Sequence, residues 1–127
     1  MKALVVDDSR AIRAILGKHL AALGFEVHEA ESGLEALTVL TKLGGADIVL
    51  LDWNMPQMDG FEFLRRVRAD QEYEDLVIVM VTTESEMAQV ARALEAGANE
   101  YLMKPFTREA LLEKLVLLGL DPGEAAA

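Results

Sequence analysis

The sequence contains no cysteine and no long run of apolar residues. Without cysteine the chain can form no disulfide, no thiolate nucleophile and no cysteine-based zinc site, which is typical of a reducing compartment. The longest apolar run near the start, Ala3 to Val6, is too short for the core of a signal peptide, and no stretch approaches the roughly 20 apolar residues of a membrane span. We therefore expect a cytoplasmic protein that does not enter a membrane.

Positive charge is also scarce, because 12 lysines and arginines face 22 aspartates and glutamates, for a formal net charge of −10. Binding nucleic acid through its phosphates needs clustered Lys and Arg, so we expect no nucleic-acid partner. Apolar residues are plentiful, at 52% of the 127 residues, which is enough for one domain with its own core. We predict a single domain over residues 1–120 and a short C-terminal tail at 121–127.

Short apolar segments alternate along the chain with segments of helical periodicity. Strict alternation with nearly continuous apolar strands predicts an α/β fold, in which a doubly wound five-stranded parallel sheet is covered by helices on both faces. Strands are expected at Ala3–Val6, Phe25–His28, Ile48–Leu51, Leu76–Val81 and Glu100–Met103.

A helix is predicted after each strand, and several helix ends carry recognisable signals. Ser32 with Glu35 three positions later has the capping-box pattern, and Thr107 is placed to cap the last helix. The fourth helix is predicted from the spacing of Met87, Val90, Ala91 and Leu94, with its end at Gly97.

Polar residues stand directly after four of the five predicted strands. Asp7 and Asp8 follow the first strand, Asp52 the third, Thr82 the fourth and Lys104 the fifth. In a doubly wound sheet, ligands bind beyond the carboxyl ends of the strands, so we expect these residues at one edge of the sheet. Each of them alone is also typical of a turn or a helix cap. Their occurrence together at four strand ends is what indicates a site.

The residue types at these strand ends suit one kind of chemistry. Clustered carboxylates repel one another, and a hard cation such as Mg²⁺, which takes oxygen ligands, removes that conflict. Asp52 can be both ligand and nucleophile, because carboxylates form acyl phosphates. Lys104 would supply a cation opposite the metal, Thr82 a hydroxyl donor to a phosphoryl oxygen, and Asn54 a backbone carbonyl for the metal. The residues thus predict phosphoryl transfer to Asp52 with Mg²⁺ as cofactor.

As a spaced set, these motifs resemble the response-regulator receiver family over nearly the whole chain, from Lys2 to Leu118. The matching segments are Val5-Val6-Asp7-Asp8, Leu51-Asp52-Trp53-Asn54-Met55-Pro56, Met58-Asp59-Gly60, Val81-Thr82 and Lys104-Pro105-Phe106. The resemblance implies a flavodoxin-like (βα)5 fold with strand order 2-1-3-4-5. It also implies a cis peptide bond between Lys104 and Pro105.

The family's roles carry over by position. The resemblance implies metal binding by Asp7, Asp8, Asp52 and the Asn54 carbonyl, phosphorylation of Asp52, phosphate binding by Lys104, and a switch formed by Thr82 and Tyr101. It further implies a sensor histidine kinase or phosphotransfer protein as phosphoryl donor, and a downstream protein that binds the face of the fourth helix, fifth strand and fifth helix. Such a module catalyses only its own phosphorylation and dephosphorylation and is otherwise not an enzyme. Chemotaxis is one pathway in which it would act.

Other interpretations stay open. The chain could be a receiver fragment of a larger regulator or hybrid kinase, or an aspartate-nucleophile phosphohydrolase. The haloacid-dehalogenase-like enzymes place a second Asp two positions after the nucleophile of the first strand, whereas here Asp7 and Asp8 are adjacent and Ser9 follows. A flavodoxin-like nucleotide binder would need a glycine-rich loop after the first strand, and the sequence has none there.

Overall fold

The computed structural model describes residues 1–120, and the predicted tail at 121–127 lies outside the described residues. The strands are β1 (Lys2–Val6), β2 (Glu26–Ala30), β3 (Ile48–Asp52), β4 (Val77–Thr82) and β5 (Glu100–Met103). The helices are α1 (Arg10–Ala22), α2 (Gly33–Leu43), α3 (Gly60–Arg68), α4 (Val90–Glu95) and α5 (Arg108–Leu117). None of these helices has the length and apolar character that crossing a membrane requires.

The five strands form one parallel sheet in the order β2-β1-β3-β4-β5, which confirms the order implied by the resemblance. β1 pairs with β3 from Ala3 opposite Ile48 to Val6 opposite Leu51. Because the strands are parallel, all their carboxyl ends lie at the same edge of the sheet. The strand order places the ends of β1, β3, β4 and β5 side by side at that edge.

Each face of the sheet has its own apolar core, because successive residues of a strand point to opposite faces. On one face, Leu4 packs in a cluster that includes Phe63 of α3. On the other face, Val5 packs in a cluster with Leu16 of α1 and Leu111 of α5. Burial on both faces explains why β1, β3 and β4 are nearly continuous apolar runs and could be recognised as such.

The predicted helix caps at Ser32 and Thr107 are confirmed. The Ser32 hydroxyl accepts a hydrogen bond from the Glu35 N–H at 3.1 Å, at the start of α2. The Thr107 hydroxyl accepts one from the Ala110 N–H at 3.0 Å, at the start of α5. Each cap satisfies a backbone donor that the first turn of a helix leaves without a partner.

The second strand lies further along the chain than predicted. β2 pairs with β1 from Lys2 opposite Glu26 to Val6 opposite Ala30. The N–H of Phe25 instead donates to the Leu20 carbonyl at 3.0 Å, so Phe25 belongs to the turn that ends α1. Its side chain is buried in the same apolar cluster as α1, which accounts for the strand-like apolar signal at this position.

The predicted fourth helix is wrong in its first half. Met87 lies in a 3₁₀ segment, Glu84–Gln89, and the α-helix begins only at Val90. Thr83 and Glu86 exchange hydrogen bonds at the start of this segment: the Thr83 N–H donates to Glu86 Oε1 at 3.0 Å and the Glu86 N–H donates to the Thr83 carbonyl at 3.0 Å. Such local bonds compete with a regular α-helical turn. A second 3₁₀ segment, Gln71–Tyr73, was not predicted at all.

Candidate functional site

Three carboxylates meet at the carboxyl edge of the sheet. Asp7 and Asp8 directly follow β1, and Asp52 is the last residue of β3. One carboxylate oxygen from each of the three lies within 4.8 Å of the others, with Asp7 and Asp52 buried and Asp8 exposed. An all-oxygen donor set that is open to solvent on one side suits a hard divalent cation such as Mg²⁺, which keeps several water ligands.

Lys104 is the cation of the site. Its Nζ lies 3.3 Å from Asp52 Oδ1 and 3.4 Å from Asp7 Oδ2, so it bridges the two buried carboxylates. The Lys104 N–H donates to the Thr82 carbonyl at 2.6 Å, which ties the turn after β5 to the end of β4. The Lys104–Pro105 peptide bond is cis, as the resemblance implied.

The electrostatics of the site are unbalanced, because one lysine faces three acids. Burial, and then the charge of Asp7, raise the pKa of Asp52 to about 6, although Lys104 acts in the opposite direction. Burial alone would lower the pKa of Lys104, but the charges of Asp52 and Asp7 outweigh it and raise that pKa above its ordinary value. Lys104 is therefore a permanent cation, and Asp52 is a carboxylate whose charged form is costly when no metal is bound.

The Asp7 carboxylate is held by the backbone of the loop between β1 and α1. Asp7 Oδ1 accepts a hydrogen bond from the Ser9 N–H at 2.8 Å, and the Ser9 hydroxyl caps α1 by accepting from the Ile12 N–H at 3.3 Å. Arg13 Nη1 donates to the Asp7 carbonyl at 2.7 Å. Sequence reasoning missed the supporting roles of Ser9 and Arg13, although a serine just before the apolar periodicity of α1 is a recognisable cap signal.

Gly60 closes the loop that follows Asp52. Its N–H donates to the Trp53 carbonyl at 2.9 Å, and a Cβ at this position would collide with the carbonyl oxygen of Asp52. Only glycine allows this close approach of two backbone segments. The next helix, α3, starts at Gly60 and is capped by the Asp59 carboxylate, which accepts from the Glu62 N–H at 2.8 Å. The loop is thus held against the backbone of Asp52 and Trp53.

The other predicted site residues have different partners in the described part of the chain. Thr82 is fully buried, and its hydroxyl donates to the Thr83 carbonyl at 3.3 Å. Tyr101 is half-buried, with Lys114 Nζ 4.3 Å from its ring centroid. The Asn54 side chain is exposed and donates to Glu86 Oε2 at 2.8 Å. The roles of Thr82, Tyr101 and the Asn54 carbonyl stay predictions.

Comparison with known proteins defines the class. The family model of the response regulator receiver domain matches residues 3–116. The chain therefore belongs to the response regulator receiver family, whose members are signalling proteins.

Particular relatives are chemotaxis proteins. The chain is 50% identical to the chemotaxis protein CheY homolog of Campylobacter jejuni, over 100% of this chain and 99% of that protein. It is 47% identical to the chemotaxis protein CheY1 of Helicobacter pylori, over 95% of this chain and 99% of that one. The solved structure of CheY4 from Vibrio cholerae has 39% identity and a TM-score of 0.84, covering 92% of this chain and 97% of that one.

Proposed function

We propose that this chain is a stand-alone receiver of a two-component phosphorelay, phosphorylated on Asp52. The observation that carries the proposal is the position of the Asp52 carboxylate, which lies within reach of the Asp7 and Asp8 carboxylates on one side and 3.3 Å from Lys104 Nζ on the other. A phosphoryl group carries negative charge on three oxygens, and its transfer depends mainly on positioning and on neutralising that charge.

In the proposed reaction, a carboxylate oxygen of Asp52 attacks the phosphorus of a phosphohistidine or a small acyl phosphate. The new P–O bond forms as the bond to the donor breaks, and the donor leaves with its electron pair. Lys104 Nζ stabilises the negative charge of the transferred group as a fixed cation. Asp7, Asp8, Asp52 and the Asn54 carbonyl would hold Mg²⁺, which supplies further neutralisation of the phosphoryl oxygens when bound.

Hydrolysis of the phosphoryl group would reset the switch. Asn54 and Glu84 come two positions after Asp52 and Thr82, and both are exposed polar residues at the rim of the site. We propose that their side chains hold the attacking water, which makes the acyl phosphate short-lived. A phosphorylated state that persists for many hours at neutral pH would contradict this role.

The proposed output runs through Thr82 and Tyr101. The phosphoryl group adds about −1.5 to −2 charge and three strong acceptors. The Thr82 hydroxyl would exchange its contact with the Thr83 carbonyl for a phosphoryl oxygen, and Tyr101 would move into the space that it leaves. The face of α4, β5 and α5 carries exposed apolar side chains suited to a protein partner, at Leu94, Met103 and Leu117.

The relatives support a place in chemotaxis, because full-length CheY proteins of similar sequence carry that name. The partners would be a sensor histidine kinase or phosphotransfer protein upstream and a target protein on the α4, β5 and α5 face downstream. Glu86 stands at the edge of this face, so a downstream partner is expected to present positive charge there.

The test uses acetyl phosphate with Mg²⁺, followed by intact mass, on the wild type and on Asp52→Asn. We expect the wild type to gain one phosphoryl group and the variant to gain none, because the amide is not a nucleophile. Phosphorylation of the variant at the wild-type level would overturn the assignment. As a second arm, Thr82→Ala should still be phosphorylated but should lose most of the backbone NMR shifts around Tyr101 that beryllofluoride induces in the wild type. The full wild-type shift pattern in Thr82→Ala would overturn the proposed output through Thr82 and Tyr101.

A further inference from the structure

Glu86 joins the two loops that border the candidate site. One oxygen of its carboxylate, Oε1, accepts the N–H of Thr83 at 3.0 Å. The other, Oε2, accepts the side-chain amide of Asn54 at 2.8 Å. Thr83 follows the last residue of β4, and Asn54 lies two residues after the last residue of β3. A single carboxylate thus fastens the loop after β4 to the loop after β3.

These loops leave neighbouring strands at the same edge of the sheet. β3 and β4 are paired up to Asp52 opposite Val81, so the loops start beside one another. Glu86 is half-buried in the gap between them, and its own N–H is bonded to the Thr83 carbonyl at 3.0 Å. Both oxygens of its side chain and its backbone N–H are therefore engaged in hydrogen bonds.

We infer that Glu86 is a positioning residue that holds the unphosphorylated arrangement of the site and opposes the phosphorylated one. This inference rests on the proposed phosphorylation of Asp52. Both donors that Glu86 engages lie within two residues of Asp52 or Thr82. A phosphoryl group brings three strong acceptors to the same place. The Thr83 N–H and the Asn54 amide can turn toward that group only when Glu86 releases them. The phosphoryl group and the Glu86 carboxylate therefore compete for the same hydrogen-bond donors.

The two hydrogen bonds that the Glu86 carboxylate accepts, from Thr83 and Asn54, form a latch between the loops. Removal of this latch should therefore favour the phosphorylated form. A hydrogen bond of this kind changes an equilibrium by about three- to tenfold. We expect Glu86→Ala to reach half-saturation with beryllofluoride, in excess Mg²⁺, at a concentration about three- to tenfold lower than the wild type does. Trp53 fluorescence reports the binding, because Trp53 is the only tryptophan and adjoins Asp52.

Two matched variants separate the latch from the mere loss of a negative charge. Glu86→Gln keeps the length of the side chain but offers a single acceptor oxygen, so it can keep only one of the two bonds, and its half-saturation should lie between those of the wild type and Glu86→Ala. In an Asn54→Ala background, where the link to the loop after β3 is already broken, Glu86→Ala should lower half-saturation by less than it does in the wild-type background. If Gln behaves like Ala, or if Glu86→Ala has its full effect without Asn54, charge is responsible and the inference is overturned.

An NMR measurement without beryllofluoride tests the latch itself. In metal-free protein, the side-chain NH2 resonances of Asn54 should shift in Glu86→Ala, because the amide loses its acceptor. Unchanged resonances in Glu86→Ala would overturn the latch even if phosphorylation of Asp52 is confirmed. If the Asn54 resonances shift in Glu86→Ala as expected but the wild type does not respond to beryllofluoride, the proposed function is overturned and, with it, the competition.

Discussion

The two ends of the sheet handle buried charge in opposite ways. At the carboxyl end, three acids meet one lysine, and their carboxylates lie within 4.8 Å of one another. At the amino end, Arg68 of α3 makes four hydrogen bonds with acceptors that carry no charge. They are the carbonyls of Gly97 at 2.8 Å, Tyr73 at 2.8 Å and Leu76 at 2.6 Å, and Asn99 Oδ1 at 2.8 Å.

The hydrogen bonds of Arg68 at the amino end of the sheet stabilise the fold. The planar guanidinium offers donors in a fixed fork, and here each of its three nitrogens has an acceptor. Asn99 Oδ1 also accepts the Ile78 N–H at 2.8 Å, so the same cluster holds the start of β4 against β5. Burial lowers the pKa of Arg68, yet guanidinium stays charged at any ordinary pH. One cation therefore satisfies three backbone carbonyls.

The carboxyl end is built for binding. Burial, and then the charge of Asp7, raise the pKa of Asp52, where a purely structural site would lower it. The comparison teaches that a satisfied charge marks a structural cluster, whereas a group of like charges with too few partners marks a place for a ligand. Three measurements test this contrast.

The largest effect is expected at the amino end. Arg68→Met keeps the apolar stem but removes all four hydrogen bonds that the guanidinium donates. We expect a loss of about 3 kcal/mol in the free energy of unfolding, measured by urea denaturation.

Arg66→Met is the matched control for Arg68→Met. Arg66 lies on the same helix and is exposed, and within residues 1–120 it makes one ion pair, with Glu62 at 3.8 Å. Its removal should change the free energy of unfolding by less than about 0.5 kcal/mol. Equal losses in the two variants would contradict the structural role of Arg68.

The second effect is a gain of stability at the carboxyl end. The folded-state pKa of Asp52, about 6, is above its ordinary value of 3.8, so the neutral form favours folding. That contribution is fully present below about pH 4 and is lost as the pH rises through about 6. In metal-free buffer at pH 7.5, Asp52→Asn should therefore be more stable than the wild type by about 2 kcal/mol.

Thermal unfolding with a chelator present, from pH 4 to pH 8, measures this difference. The two proteins should converge at the acid end of the range and separate above about pH 6. An Asn variant that is less stable than the wild type at pH 7.5 without metal would show that Lys104 already compensates the acids.

The smallest effect concerns the metal. Mg²⁺ at ten times its dissociation constant should stabilise the wild type by about 1.4 kcal/mol, because it binds the folded state only. Asp8→Ala should lose most of this gain, while its metal-free stability stays within about 0.5 kcal/mol of the wild type because Asp8 is exposed. The same Mg²⁺-dependent gain in Asp8→Ala would remove Asp8 from the metal site.

The sequence predicted the site at the carboxyl end of the sheet but not the Arg68 cluster at the amino end. Asp7, Asp52 and Lys104 could be placed together because each directly follows or ends a recognisable strand, and β1 and β3 are buried on both faces. Arg68 could not be found, since three of its four acceptors are backbone carbonyls, which leave no trace in residue type. Its partners also lie five to 31 positions away along the chain.

The misplaced start of the fourth helix has a local cause. Met87, Val90 and Leu94 have helical spacing, but the bonds that Thr83 and Glu86 exchange hold the first residues in a 3₁₀ segment. Periodicity of apolar residues does not distinguish the two kinds of helix when polar side chains bond to the nearby backbone. The same bonds place Glu86 against Asn54, a contact that spacing alone does not predict.

The turn between α2 and β3 has a practical consequence. Gly44 and Gly45 both have positive φ, and nothing lies within 4 Å of where their side chains would be. This turn enters β3 at its amino end, a whole strand length away from Asp52. A fluorescent domain or an affinity tag spliced between the two glycines would leave the site and both apolar cores untouched, which makes the turn a place to attach a label that does not interfere with phosphorylation.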